Sequence, residues 1–512
     1  MSVCANASPT VAASASAAPV SGWRRMLADS LLVSATTIGC QAMGVAISLL
    51  LRFALDPAQM GVWQGLKLFL NYANYANLGV SKGAARELTV ALGRGESAAA
   101  SRGLNLAFTV NTLSSLVYAA LLAGVAWWIG AAAGGIWQNV WSMGLLALAV
   151  LVVIQRHVTF HVTILRCRQA FAVASQLSLF EAAATLTVAA GAAWLWGLNG
   201  LYAGTFLVML GAWSYLRWRG AEPLTWAWDR REIVRLIGLG GPMLLAGAAA
   251  ALFQSIDKLM ILLCSSDREY ELGCYSLSLL ASGQLYGLAN MLSLTMGPRY
   301  GESFGRSGDH RHVALLAARA SELQACALSL LAGLGMVAAV PVLGRLFPAY
   351  RLGAAPALWL IPGAVALGLS LPASQCLTAV YRERWTLAAA LVGLALAAAG
   401  SYAALVSGRG LVGVAIATST AYVAYFVLSV AISLWREIDQ PARRRYVTAM
   451  LLTLAPVIGL AAALEAVWPG AECSLPMVAA KGASVCAVWS AVALVGWRWG
   501  GWQTIWREER RR

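Results

Sequence analysis

Residues 59–81 read QMGVWQGLKLFLNYANYANLGVS. Lys67 lies about nine residues into this run, ~13 Å along a helix rising 1.5 Å per residue. On a helix, Lys67, Asn71, Asn74, Asn77 and Ser81 recur at three- and four-residue steps and share one face, with Tyr72 and Tyr75 beside it. Asparagine and serine commonly bond between packed membrane helices, so the amides alone fit either structural glue or a working surface. A lysine at that depth is costly in hydrocarbon and points to a lumen. The surroundings of this stretch, and its recurrence later in the chain, decide the fold.

Those surroundings are apolar. The chain has 512 residues, 60% hydrophobic and 12% charged, with mean hydropathy +0.69, against about 25% charged in soluble domains. A single soluble core rarely grows beyond ~250–300 residues, and there are too few charges to coat two such domains. A secreted, disordered or nucleic-acid-binding protein is excluded on the same grounds. Apolar runs of about 20 residues give fourteen candidate spans, starting near Met26, Gln59, Leu104, Trp137, Gln169, Leu201 and Leu236 in the first half. The rest start near Gly273, Leu315, Ala355, Trp385, Leu411, Tyr446 and Leu475, the tenth being interrupted by Pro362 and Pro372.

The net charge of +15 would suit a nucleic-acid partner, but its distribution gives another reading. Of the 37 Lys and Arg, 29 fall on alternate loops and tails, and five (Arg52, Arg268, Arg345, Arg351, Arg409) on the opposite face. The remaining three are lysines within spans. By the positive-inside rule both termini are expected in the cytoplasm and no nucleic acid is needed. Residues 1–22 are Ala/Ser-rich without an apolar core, so they read as a disordered tail rather than a cleavable signal. Cys264 and Cys274 bracket one external loop and are the one pair placed for a disulfide, although no secreted-type cysteine framework surrounds them.

The opening motif recurs. Gly61-Val62-Trp63 is echoed by Gly273-Cys274-Tyr275 and Gly93-Arg94 by Gly305-Arg306, each 212 residues later. Arg166-x-Arg168 returns as Arg382-x-Arg384 and Gly197-x-x-Gly200 as Gly410-x-x-Gly413, at shifts of 216 and 213. A six-span unit returns the chain to the same side, so the halves are parallel repeats about an axis along the membrane normal. The expected fold is all-α and polytopic, with about 14 transmembrane helices. Its parts are an N-lobe over 23–219, a cytoplasmic linker over 220–235, a C-lobe over 236–437, two extra helices over 438–500 and a basic tail over 501–512.

Ionisable groups within spans mark candidate sites. Thr37, Gln41, Ser48 and Arg52 share a face of the first span. Lys67 with Asn71 and Asn74 forms the stripe of the second. Asp257 and Lys258, with Gln254, lie near the outer end of the seventh and read equally as a neutralised pair or as a functional one. Glu181, near the middle of the fifth, is the best candidate for a protonatable or cation-coupling carboxylate. Lys481 is shallow enough to snorkel. Arg156, His157 and His161 mark either a cavity mouth or ordinary cytoplasmic charge; with no third ligand nearby, no metal is expected. Deep cations outnumber deep anions, which suits an anionic cargo such as a phosphate or diphosphate headgroup.

These residues resemble a known family. Arg52, Asp56-Pro57-Ala58-Gln59-Met60-Gly61-Val62-Trp63, Leu78-Gly79-Val80-Ser81 and Ala85-Arg86-Glu87-Leu88 resemble the opening of Wzx-type polysaccharide-biosynthesis flippases. Asp257-Lys258-Leu259-Met260-Ile261 and Glu271-Leu272-Gly273-Cys274-Tyr275-Ser276 are similar to that family's second-lobe opening. The superfamily also holds MATE exporters and lipid II flippases. The resemblance implies a bacterial inner-membrane protein that moves an undecaprenyl-diphosphate-linked oligosaccharide between leaflets by alternating access, with no cofactor. It implies Arg52, Lys67 and Lys258 as headgroup contacts and, as partners, the bilayer and glycan polymerase and export machinery. A sodium site completed on the eleventh span is not expected, because that span has no acidic residue; Glu181 and Asp257 remain for proton coupling. The competing expectation is a MATE-like drug or metabolite antiporter, which usually uses deep acids. A membrane glycosyltransferase, polymerase or ligase would need catalytic carboxylates or large external loops.

Overall fold

The computed structural model describes residues 22–94, 97–219, 224–470 and 473–499. The expected N-terminal tail up to residue 21, residues 220–223 of the expected linker, and the basic tail over 501–512 lie outside these residues. In chain order the helices are α1 (Gly22–Ala54), α2 (Pro57–Tyr72), α3 (Val80–Arg94), α4 (Ser97–Ala132), α5 (Val140–Cys167) and α6 (Phe171–Ala184). There follow α7 (Ala190–Trp218), α8 (Arg230–Phe253), α9 (Ile256–Cys264), α10 (Arg268–Ser307), α11 (His310–Ala338) and the short α12 (Gly344–Leu346). The last are α13 (Ala354–Ala379), α14 (Glu383–Val406), α15 (Gly410–Ser433), α16 (Gln440–Val467) and α17 (Leu475–Trp499). The described residues contain no strand, as expected where every backbone group must be satisfied without water.

Eleven stretches are long and apolar enough to cross a bilayer. One of them, Phe171–Trp218, holds two expected spans. The helix breaks at Trp196 and Gly197, where Gly197 has φ +59°, and the chain turns back on itself. A Cβ on Gly200 would lie 1.9 Å from the Ala192 carbonyl oxygen, so the two arms close only because that position is bare. The two expected spans missing from the eleven are the second (α2 and α3) and the eighth (α10). Both are helical but more polar than the eleven.

Lipid offers no hydrophobic drive between helices, so close backbone contact holds the bundle. At one end, a Cβ on Gly61 would stand 1.8 Å from the Glu269 carbonyl oxygen, and one on Gly273 1.7 Å from that of Pro57. On the same side, Tyr350 donates to the Leu55 carbonyl at 2.8 Å and Phe347 packs on Phe53. At the other end, α3 crosses α8 where a Cβ on Gly240 would meet the Gly79 carbonyl oxygen at 2.0 Å. Arg235 on α8 pairs there with Glu87 on α3.

Two expectations change, and the open question of a Cys264–Cys274 pair is answered. The prolines do not interrupt the tenth span, since α13 runs through Pro362 and Pro372. Pro372 has no N–H for the Gly368 carbonyl four residues back, and Gln324 Nε2 on α11 approaches that oxygen at 3.5 Å instead. Lys481 does not snorkel: it is buried and paired with Glu465 at 2.8 Å, joining α17 to α16. Cys264 and Cys274 are unpaired, Cys274 being buried with its thiol 3.9 Å from the Ala349 carbonyl.

Candidate functional site

The site begins at a well-made helix start. Asp56 caps α2 by accepting from the Gln59 N–H at 2.7 Å, with Pro57 in the first turn. The helix then carries Lys67 inward. Among the described residues the Lys67 ammonium has no hydrogen-bond or carboxylate partner; it stands 5.9 Å from the centre of the Trp63 ring. The charged groups near enough to bear on it are Arg52 and Lys258, both cations. The three residues expected to meet a headgroup are therefore gathered together, from α1, α2 and α9.

They are not equivalent. Arg52 is 4% exposed. Its Nη1 donates to the Ser48 carbonyl at 2.6 Å and its Nη2 to the Ser276 carbonyl at 2.5 Å, tying α1 to α10. Its Nε is buried without a partner. Lys258 donates to the Gln254 carbonyl at 2.8 Å and lies 3.2 Å from Asp257. Asp257, 1% exposed, also accepts from the Tyr275 hydroxyl at 3.1 Å. Lys67 alone of the three is left without a donor–acceptor partner.

The polar stripe of the second span is split. After Tyr72 the helix tightens into a 3₁₀ turn (Ala73–Tyr75), Leu78 takes φ +53° and Gly79 +86°, and α3 starts anew at Val80. Asn77 shapes the break, accepting from the Gly79 N–H at 3.1 Å and donating to Ser81 Oγ at 3.0 Å. Asn74, Asn77 and Ser81 thus line a cavity of ≈ 560 Å³ together with Lys82, Asn111, Arg156, Thr159 and Thr163. Asn71 is exposed and outside that lining. Gln41 lies elsewhere, its amide reaching over Gly287 of α10.

Arg156 is the residue the sequence undervalued. It is 3% exposed, with Nη1 donating to the Ala73 carbonyl at 2.8 Å and Nη2 to Asn111 Oδ1 at 2.8 Å. The available signal was the run Asn111, Thr112, Ser114 and Ser115 within an apolar span, a polar patch that calls for a buried partner. His157 and His161 face backbone carbonyls at 2.7 and 2.8 Å.

Glu181 sits apart, against α1, where Cys40 is its electrostatic neighbour. One of its carboxylate oxygens is buried without a partner. A π-helical turn, Thr185–Ala189, follows directly, and such turns gather at functional sites.

The profile of a family described as "Polysaccharide biosynthesis protein" matches residues 86–293, less than half of the chain. No curated protein matches the sequence. Among solved structures, the lipid II flippase MurJ in an inward closed conformation aligns with TM-score 0.67 at 12% identity, covering 91% of this chain and 99% of its own. The Vibrio cholerae MATE transporter VcmN aligns with TM-score 0.59 at 11% identity, covering 82% and 97%. A MOP-superfamily transporter from Pyrococcus furiosus, described as having reversed polarity in its binding pocket, aligns at 0.55 and 14%, covering 82% and 96%. The chain has the fold of these flippases and transporters, and it is a multi-pass membrane protein.

Proposed function

We propose that this chain flips an undecaprenyl-diphosphate-linked oligosaccharide across the bacterial inner membrane by alternating access, with both termini in the cytoplasm. Lys67 carries the reading: an ammonium deep in a span, within electrostatic reach of two more cations and without a partner among the described residues, suits an anionic headgroup. A glycan rich in hydroxyls cannot cross hydrocarbon and needs a wet polar passage, for which the cavity lined by Asn74, Asn77 and Asn111 is suited. The isoprenoid tail stays in lipid, and no bond is made or broken. The lobes over 23–219 and 236–437 are proposed as the moving halves, and Glu181 as the coupling carboxylate. Polymerase and export machinery are the proposed downstream partners.

Deletion tests the reading. Lipid-linked oligosaccharide should accumulate on the cytoplasmic leaflet while surface polymer disappears. Normal surface glycan with increased drug sensitivity would instead establish the second reading, a MATE-like antiporter, which the half-buried Glu181 carboxylate favours.

A further inference from the structure

Two spans are broken, and the breaks meet. The second is interrupted over residues 73–79, and the seventh at Gln254 and Ser255, between α8 and α9. Tyr72 and Ser255 bond across the lobes at 2.5 Å. The Ser255 hydroxyl donates to the Ala251 carbonyl at 2.6 Å, so the Tyr72 hydroxyl is the donor of the crossing bond.

A break leaves backbone carbonyls short of donors, and in a membrane each must find another. At the seventh span, the Lys258 N–H turns to Asp257 Oδ1 at 2.8 Å instead of reaching the Gln254 carbonyl four residues back. The Lys258 ammonium takes that carbonyl in its place. At the second span, the Ala73 carbonyl receives a 3₁₀ bond from the Ala76 N–H at 3.1 Å, and Arg156 supplies the second donor. Each break is thus held by a cation of its own half, Arg156 buried and Lys258 half-buried, and the two are joined by one pair of hydroxyls.

We infer that this pair of breaks is the pivot of the transport movement, with Arg156 and Lys258 as positioning residues that staple it and Tyr72–Ser255 as the link between the lobes. It rests on the reading of the chain as an alternating-access transporter. It also separates the cations by role: Lys67 faces cargo, while Arg156 and Lys258 hold the hinge. An anionic headgroup drawn to Lys67 competes for the Lys258 ammonium, which would release the Gln254 carbonyl and loosen the seventh span.

Hydrogen-exchange mass spectrometry on the full chain in lipid nanodiscs tests this. Tyr72→Phe removes only the linking hydroxyl. Exchange should rise about five- to tenfold, the scale of one lost hydrogen bond, in residues 70–80 and 250–260 together, with α11 unchanged. A rise confined to residues 70–80, or none, overturns the link, and Ser255→Ala repeats the test from the other side. Arg156→Gln should loosen both breaks and Arg156→Lys restore them. A uniform rise that includes α11 would make Arg156 a general prop and overturn its role as a staple. Failure to flip a lipid-linked glycan while the two breaks still exchange together counts against the proposed function and leaves the pivot standing.

Discussion

Gly61 and Gly273, the matched glycines of the expected repeat, are 212 residues apart and face each other across the seam between α2 and α10. Each is bare because the other helix's backbone fills the space where its Cβ would be. The two glycines matched in the sequence are therefore also in contact. Gly273→Ala should force the helices apart and destabilise the protein by ~1–3 kcal/mol, the usual scale of overpacking. Thermal unfolding in detergent would show it as a lowered Tm; an unchanged Tm would mean the seam is loose.

Lys67→Ala should leave membrane abundance unchanged and lower transport ~10–100-fold, the effect of removing one charged hydrogen bond to cargo. Lys67→Arg should retain most of the activity. The measurement is flipping of a lipid-linked oligosaccharide in proteoliposomes, and full activity in the alanine variant would return Lys67 to a packing role.

Glu181→Gln keeps the shape of the side chain and removes its capacity to lose a proton. If that carboxylate couples transport to a proton gradient, the variant should transport equally with and without an imposed ΔpH. A retained ΔpH response would place coupling elsewhere.

The Lys481–Glu465 pair is enclosed, with side-chain exposures of 3% and 7%. Glu465→Gln strands a buried ammonium and should cost about 3–5 kcal/mol, whereas an apolar double replacement, Lys481→Met with Glu465→Leu, should recover most of it. Paired melting curves decide between this and a snorkelling lysine, for which the single change would cost little.

Much of the fold was legible from local information. Each of the fourteen expected spans has a helix, because ~20 apolar residues can satisfy their backbone in lipid only that way. The second and eighth, the most polar of them, fall short of the eleven strongly apolar stretches but are helical all the same. The candidate site was legible in part: Arg52 and Lys258, singled out with Lys67 in the sequence, are near enough to act on it electrostatically. What escaped was their division of labour. In the sequence the stripe from Lys67 to Ser81 reads as one helical face, but the helix breaks at Ala73, so Lys67 and the Asn77–Ser81 arm serve different surfaces.

Hydropathy and spacing along a single chain were enough for the membrane class and the all-helical fold. Only the tertiary packing leaves Lys67, of the site's cations, without a hydrogen-bond partner among the described residues. Arg156 reaches Ala73 from 83 residues away, Arg52 reaches Ser276 from 224, and Lys258 is held by a carbonyl exposed only when its helix breaks. A charge in a membrane is defined by its partners, and those partners exist only once the helices have packed.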